Sequence, residues 1–185
     1  MSEDVILVVE DEPELADLYS DWLAQRYAVR TAHDGEEALE AFDEEVEVVL
    51  LDRRLPGMAG DAVLPLLRDR KPEVQVAMVT GAEPEVDVVD LGFDAYVIKP
   101  IGEDELFEVV DHLLHRRVYD DNVRELFAAI STQIALEHEH DPEELREDPQ
   151  YQSLQAKIET LREETTDLAE QFDDEEFRTA ISALQ

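Results

Sequence analysis

Five short apolar runs punctuate the first two-thirds of this chain, and four of them end on residues with chemistry to offer. Val5-Ile6-Leu7-Val8-Val9 leads into Glu10 and Asp11, and Val46 to Leu51 leads into Asp52. Val74 to Val79 leads into Thr80, and Ala95 to Ile98 into Lys99. The fifth run is Tyr27-Ala28-Val29-Arg30-Thr31. Runs that are continuous and β-branched, rather than alternating, are the pattern of strands covered on both faces. Amphipathic stretches fill the intervals. Pro13 suits a first helical turn and is followed by Leu15, Leu18, Trp22 and Leu23. Asp34-Gly35 opens a helix carrying Ala38, Leu39 and Phe42, and the Leu55-Pro56-Gly57 turn precedes one through Val63, Leu66 and Leu67. A short helical segment is predicted at Val86 to Leu91, and a last helix from Glu103 to about Arg117 with Leu106, Val109, Val110, Leu113 and Leu114. Strands alternating with helices require right-handed crossovers and a parallel sheet clothed on both sides. The predicted class is α/β, a five-stranded doubly wound parallel sheet.

After Arg117 the periodicity becomes purely helical. Tyr119, Val123, Leu126, Phe127, Ile130 and Ile134 form a stripe uninterrupted by Gly or Pro until Pro142. Asp141-Pro142 and Asp148-Pro149 bracket a polar connector. Tyr151, Leu154, Ile158, Leu161, Thr165, Leu168 and Phe172 then follow 3-4 spacing, an a/d seam, and Phe177, Ile181 and Leu184 form a final amphipathic piece. The division expected is residues 1–117 as the α/β domain and 118–185 as a helical hairpin, the 119–134 stripe packed on the 151–172 seam. The same seam could instead pair with a second copy as a homodimer.

Composition sets the surroundings. The 185 residues include 49 acidic and 15 basic side chains, a net charge of −34. The acids run through both halves of the chain, which fits adaptation to molar salt, where the Debye length shrinks to ~3 Å. No apolar run approaches the ~20 residues that span a bilayer, and the first residues lack the basic and apolar regions of a secretory signal. A cytoplasmic setting with no membrane partner is expected. The absence of cysteine excludes disulfides, thiolate chemistry and cysteine-ligated zinc.

In open parallel sheets ligands bind at the carboxyl ends of the strands, where this chain places Glu10, Asp11, Asp52, Thr80 and Lys99. Three clustered carboxylates repel one another and raise one another's pKa. A hard divalent cation relieves that repulsion, and Mg²⁺ accepts a few carboxylates together with water and phosphate oxygens. Lysine is a compact charge for a phosphoryl oxygen, and a Thr hydroxyl can donate to another. An Asp in such a pocket can act as nucleophile and form an aspartyl phosphate. Taken singly, a strand-end acid is more often a helix cap, and a lone Thr or Lys a surface residue. The combination on four strand ends is what carries the reading.

Val8-Val9-Glu10-Asp11-Glu12, Leu50-Leu51-Asp52-Arg53-Arg54-Leu55-Pro56-Gly57 through Gly60, Val79-Thr80-Gly81 and Tyr96-Val97-Ile98-Lys99-Pro100 resemble the receiver domain of two-component response regulators. The resemblance covers residues 4 to about 117. It implies a flavodoxin-like strand order 2-1-3-4-5 and Asp52 as acceptor of a phosphoryl group from a sensor histidine kinase. It further implies Mg²⁺ held by Glu10, Asp11, Asp52 and the Arg54 carbonyl, Thr80 and Tyr96 as a switch pair, and a cis Lys99-Pro100 peptide. Such a protein is a phosphoacceptor with self-catalysed transfer rather than an enzyme acting on other substrates. Two features depart from the pattern. Gly81 stands where Ala is common, and the interval from Thr80 to Lys99 is short, which puts a dimer through the helix usually found there in doubt.

The tail, through Arg117-Val118-Tyr119 and Pro149-Gln150-Tyr151-Gln152-Ser153-Leu154, resembles the HalX domain attached to haloarchaeal receivers. With 5 basic and 19 acidic residues from Val118 to Gln185, a net of −14, it lacks the clustered Lys and Arg of a phosphate-contacting surface. Transcriptional output through a protein target is therefore expected ahead of direct DNA binding. His138, His140 and Asp141 are read as helix-end residues rather than a metal site, since residues two apart do not share a helix face. A phosphohydrolase of the haloacid-dehalogenase type is the rival from another class. It would need a second Asp two residues after a first-strand nucleophile, which Asp11-Glu12-Pro13 does not supply.

Overall fold

A computed structural model of the chain describes residues 4–81 and 92–171, so the predicted helical segment at Val86 to Leu91 and the residues after Gln171 lie outside it. Two compact units divide at Leu114 and His115. The first holds a parallel sheet of β1 (Val5–Val9), β2 (Ala28–Ala32), β3 (Val46–Leu51), β4 (Gln75–Thr80) and β5 (Ala95–Ile98). The strand order is β2-β1-β3-β4-β5, which bears out the doubly wound α/β expectation. Every residue of β4 and all but one of β3 are buried, as strands covered on both faces require.

Helices α1 (Pro13–Leu23), α2 (Gly35–Ala41) and α3 (Gly60–Arg70) connect these strands. Asp34 caps α2 by accepting a hydrogen bond from the Glu37 amide at 2.8 Å, satisfying one of the orphan donors of the first turn. On α1 the inward face is Ala16, Tyr19 and Leu23, so the expected stripe is displaced and Leu18 is exposed. Leu66 of α3 likewise faces out, while Val63, Leu64 and Leu67 fill the core. Two cations tie down the starts of strands β3, β4 and β5. Buried Lys71 donates to the Glu44 and Val46 carbonyls and the Glu47 carboxylate, all at 2.9 Å. Arg68 reaches Asp94 at 2.5 Å, and Asp94 accepts from the Val76 amide at 2.8 Å, which ties the starts of β4 and β5 together.

The next helix corrects the expectation of an end near Arg117, because α4 runs unbroken over Glu103–Glu139. Nothing between Gly102 and Pro142 removes a backbone donor or favours a left-handed cap. Its early residues Leu106, Val110 and Leu113 are fully buried in the first unit. There Tyr27 donates to Asp111 and Arg26 lies 4.2 Å above the Phe107 ring. The predicted polar connector is also corrected: residues Pro142–Glu147 form a short helix, α5, capped by Asp141.

In the second unit α6 (Pro149–Gln171) packs on the late part of α4 as a hairpin. Tyr151 donates to Glu137 at 2.5 Å, and Lys157 pairs with Glu125 at 2.5 Å. The α6 seam is buried at Tyr151, Ile158 and Leu161, while Leu168 and Phe172 are not described. The α4 face that meets it is not the one expected. Ala129 is buried there and Leu126, Gln133 and Leu136 are half-buried, whereas Val123, Phe127 and Ile134 are exposed. Two 3-4-spaced stripes lie side by side on α4, and the one that contains Ala129 is the one turned to α6.

Lys71 supplies the first test. Replacing it with Ala leaves two carbonyls at the start of β3 and the Glu47 carboxylate without their donor, and should lower stability by about 3 kcal/mol. Guanidinium unfolding of both proteins at fixed salt measures this directly.

Candidate functional site: an acidic pocket closed by Lys99

The site sits where the sheet geometry brings three strand ends together. β1 lies between β2 and β3, with Val9 opposite Leu51, so the residues that follow, Glu10 and Asp52, emerge as neighbours. The Asp52 amide donates to the Val9 carbonyl at 2.9 Å, which extends the ladder to Asp52. β5 ends one strand beyond β4, and the Lys99 amide bonds the Thr80 carbonyl at 2.9 Å. The Lys99-Pro100 peptide that follows is cis.

Lys99 bridges the two buried carboxylates. Its Nζ lies 2.5 Å from Glu10 Oε2 and 2.6 Å from Asp52 Oδ2. The remaining oxygens take backbone donors: the Arg54 amide donates to Asp52 Oδ1 at 2.9 Å, and the Glu12 amide to Glu10 Oε1 at 3.4 Å. Asp11 stands exposed at the mouth. Glu10, Asp11 and Asp52 each offer an oxygen within 4.8 Å of the others, the one metal-ligand grouping among the described residues. Three carboxylates and no nitrogen or sulfur form a hard donor set, and the chemistry fits a hard divalent cation.

Burial pushes the Glu10 carboxyl up, and the Lys99 ammonium beside it holds that rise in check. Burial pulls Lys99 down, but its bonds to Asp52 and Glu10 outweigh this and leave its ammonium more basic than usual. Tyr19, buried on α1 and within the field of the site, is pushed up to about 12, mainly by desolvation. A neutral phenol therefore backs the pocket throughout the ordinary pH range.

Thr80 is fully buried at the end of β4. Tyr96 is half-buried three residues before Lys99 and packs on Phe93, ring centres 5.5 Å apart. Two contributors were not legible as such in the sequence. His33, after β2, sets its Nδ1 3.1 Å from the Glu10 carbonyl. Gly60 begins α3 directly over the loop after Asp52, where a Cβ would stand 2.4 Å from the Asp52 carbonyl oxygen. Gly57, at φ +75°, adopts the left-handed turn conformation natural to glycine. The glycines in the stretch after Asp52 were the signal for a loop folded this tightly.

The family model for the response regulator receiver domain matches residues 6–111. The chain belongs to that family. The HalX domain model matches residues 115–181, placing a HalX domain behind the receiver. A Haloferax volcanii relative, a transcriptional regulator by name only, is 47% identical over 164 residues, which are 88% of this chain and 28% of that one. The sensory transduction protein RegX3 of Mycobacterium tuberculosis is 40% identical over 122 residues, 63% of this chain and 53% of its own. This chain thus spans about half or less of the length of these curated relatives. Among solved structures, a CheY-like receiver from Methanospirillum hungatei superposes with a TM-score of 0.61 at 28% identity, covering 64% of this chain and 98% of that one. Thermotoga maritima TrrA, crystallised with Mg²⁺ and a beryllium fluoride, superposes at 0.54 with 34% identity, covering 60% and 99%.

Removing the receiver's lysine tests the electrostatics. Lys99→Met leaves two buried carboxylates without their cation and should cost about 3 kcal/mol of stability in chelator at neutral pH. Because Glu10's folded pKa lies above its unfolded value, its protonation favours the folded state. The loss should therefore shrink as pH falls through that raised pKa. Thermal unfolding of wild type and variant across acid pH reads both effects.

Proposed function

We propose that this chain is a phosphorelay response regulator that accepts a phosphoryl group from a sensor histidine kinase on Asp52. The observation that carries the reading is the Lys99 ammonium bound at once to Glu10 and Asp52 at the mouth of a hard-oxygen cluster. Nucleophilic transfer to a carboxylate needs an anionic oxygen, charge neutralisation around the transferring group and a fixed approach. Asp52 supplies the oxygen, and the Arg54 amide on Oδ1 fixes the rotation of its carboxylate. An Asp52 oxygen forms the new P–O bond while the phosphohistidine P–N bond breaks, and the imidazole nitrogen takes the leaving electron pair.

Mg²⁺ is the cation proposed for Glu10, Asp11 and Asp52, with the Arg54 carbonyl completing the set. When bound, it neutralises charge on the phosphoryl oxygens. Lys99 contributes the second positive charge from the β5 side, and as Asp52 loses its anionic oxygen to the acyl phosphate the Lys99 ammonium is free to follow the new phosphoryl oxygens. Thr80, buried at the end of the adjacent strand, is the hydroxyl proposed to donate to another. Thr80 and Tyr96 are the proposed switch pair, since a hydroxyl drawn toward Asp52 would vacate space near the β5 aromatic. The helical domain, residues 118–185, is proposed to pass the change from the receiver, residues 1–117, to a transcriptional protein target. Its net charge of −14 favours this over contact with DNA.

The protein is proposed to work in the cytoplasm and to turn over no substrate beyond its own aspartyl phosphate. Incubation with Mg²⁺ and a small-molecule phosphodonor in high salt should add the mass of one phosphoryl group to wild type and none to Asp52→Asn. Lys99→Ala should label about a hundredfold more slowly. Equal labelling of wild type and Asp52→Asn, read by intact mass, would refute the acceptor assignment.

A further inference from the structure

The late part of α4 carries two seams, and α6 covers one of them. The other consists of Val123, Phe127, Ile130 and Ile134, spaced 4-3-4 as in a coiled-coil contact. Phe127 is 75% exposed, Ile134 62% and Val123 39%. Asp120 and Glu137 bound this stripe, giving an apolar length of about 17 Å along the helix. α6 offers a single seam, already turned toward α4, so it has no second face to cover this one. Isolated apolar residues on a surface need no explanation, but an aligned row of them marks a contact.

The charge pattern says what the contact is with. A chain with 49 acidic residues among 185 has a single acid, Glu125, from Val123 to Leu136, and that acid is held by Lys157 on the α6 side. The positions flanking the seam are Arg124, Ser131 and His138 on one side and Leu126 and Gln133 on the other. None is a carboxylate. A surface meant for a basic partner would be edged with acids, as most of this chain is. A surface meant for another molecule of net charge −34 must instead clear like charges from the approach, since like charges set side by side are costly. We infer that α4 pairs with α4 of a second copy along Val123, Phe127, Ile130 and Ile134, joining two HalX hairpins into a four-helix dimer.

The pairing is isologous, so the same apolar patch serves both copies. It uses the helical domain and does not depend on the phosphoacceptor reading. Phe127 sits at its centre, where aromatic anchors carry the largest share of binding energy. Because the attraction is apolar and the opposing force is long-range repulsion between acidic chains, dimerisation should strengthen as salt rises.

Sedimentation equilibrium of the full chain, at several concentrations in molar KCl, tests the inference. Wild type should be dimeric, with a dissociation constant that falls as KCl is raised. Phe127→Glu and Ile134→Glu should each weaken the dimer about thirtyfold or more, with helical circular dichroism unchanged because both side chains are exposed. Leu66→Glu, an exposed apolar site of the receiver, should leave it intact. A monomeric wild type, a dimer that loosens as salt rises, or a dimer as tight in Phe127→Glu as in wild type would each overturn the inference.

Discussion

One ammonium shared between two buried carboxylates holds the working end of this molecule together. Glu10 and Asp52 leave adjacent strands and would repel each other in a site this dry. Lys99, arriving from β5, lies within 2.6 Å of both. The sheet order makes the arrangement obligatory. β1 and β3 are neighbours, so their C-terminal residues converge, and β5 needs only β4 between itself and β3 for a four-carbon side chain to reach across. The same balance leaves the pocket chemically poised. Each carboxylate keeps one oxygen on a backbone amide and lends the other to Lys99, so an incoming divalent cation and phosphoryl group would redistribute existing partners rather than meet bare charges.

The acidic surface and the apolar core answer different requirements. The sheet residues are buried whatever the solvent, and Lys71 and Arg68 sit where carbonyls at strand starts or a buried carboxylate need a donor. Elsewhere carboxylates dominate, which suits a chain working where salt screens them. Residues 123–136 of α4 hold a single acid, Glu125, along a stripe that α6 leaves uncovered.

Much of the receiver was legible because strand ends and chemistry coincide in the sequence. The runs ending at Glu10, Asp52, Thr80 and Lys99 gave both the class of fold and the cluster of side chains, and the structure brings Glu10, Asp52 and Lys99 into contact. What periodicity left open was a choice between adjacent faces. On α1 the expected stripe of Leu15, Leu18, Trp22 and Leu23 shares only Leu23 with the buried face of Ala16, Tyr19 and Leu23. On α4, the face that contains Ala129 is turned to α6 and leaves Phe127 outside. The end predicted near Arg117 failed for another reason: a change in which residues a helix packs against is not a signal to stop the helix. His33 was not legible as a site residue, because it meets the site through the Glu10 carbonyl and a backbone contact leaves no mark on side-chain pattern, whereas Gly60 left a signal only as one of the glycines after Asp52.

The central claim is that the phosphoryl group arrives on Asp52 and on no other carboxylate of the cluster. Borohydride reduction of the phosphorylated chain converts an acyl phosphate to an alcohol, and peptide mass analysis then locates the altered residue. Homoserine is expected at position 52, with Asp11 and Glu10 unmodified. Reduction products at Asp11, or at any acid outside the pocket with Asp52 intact, would contradict it.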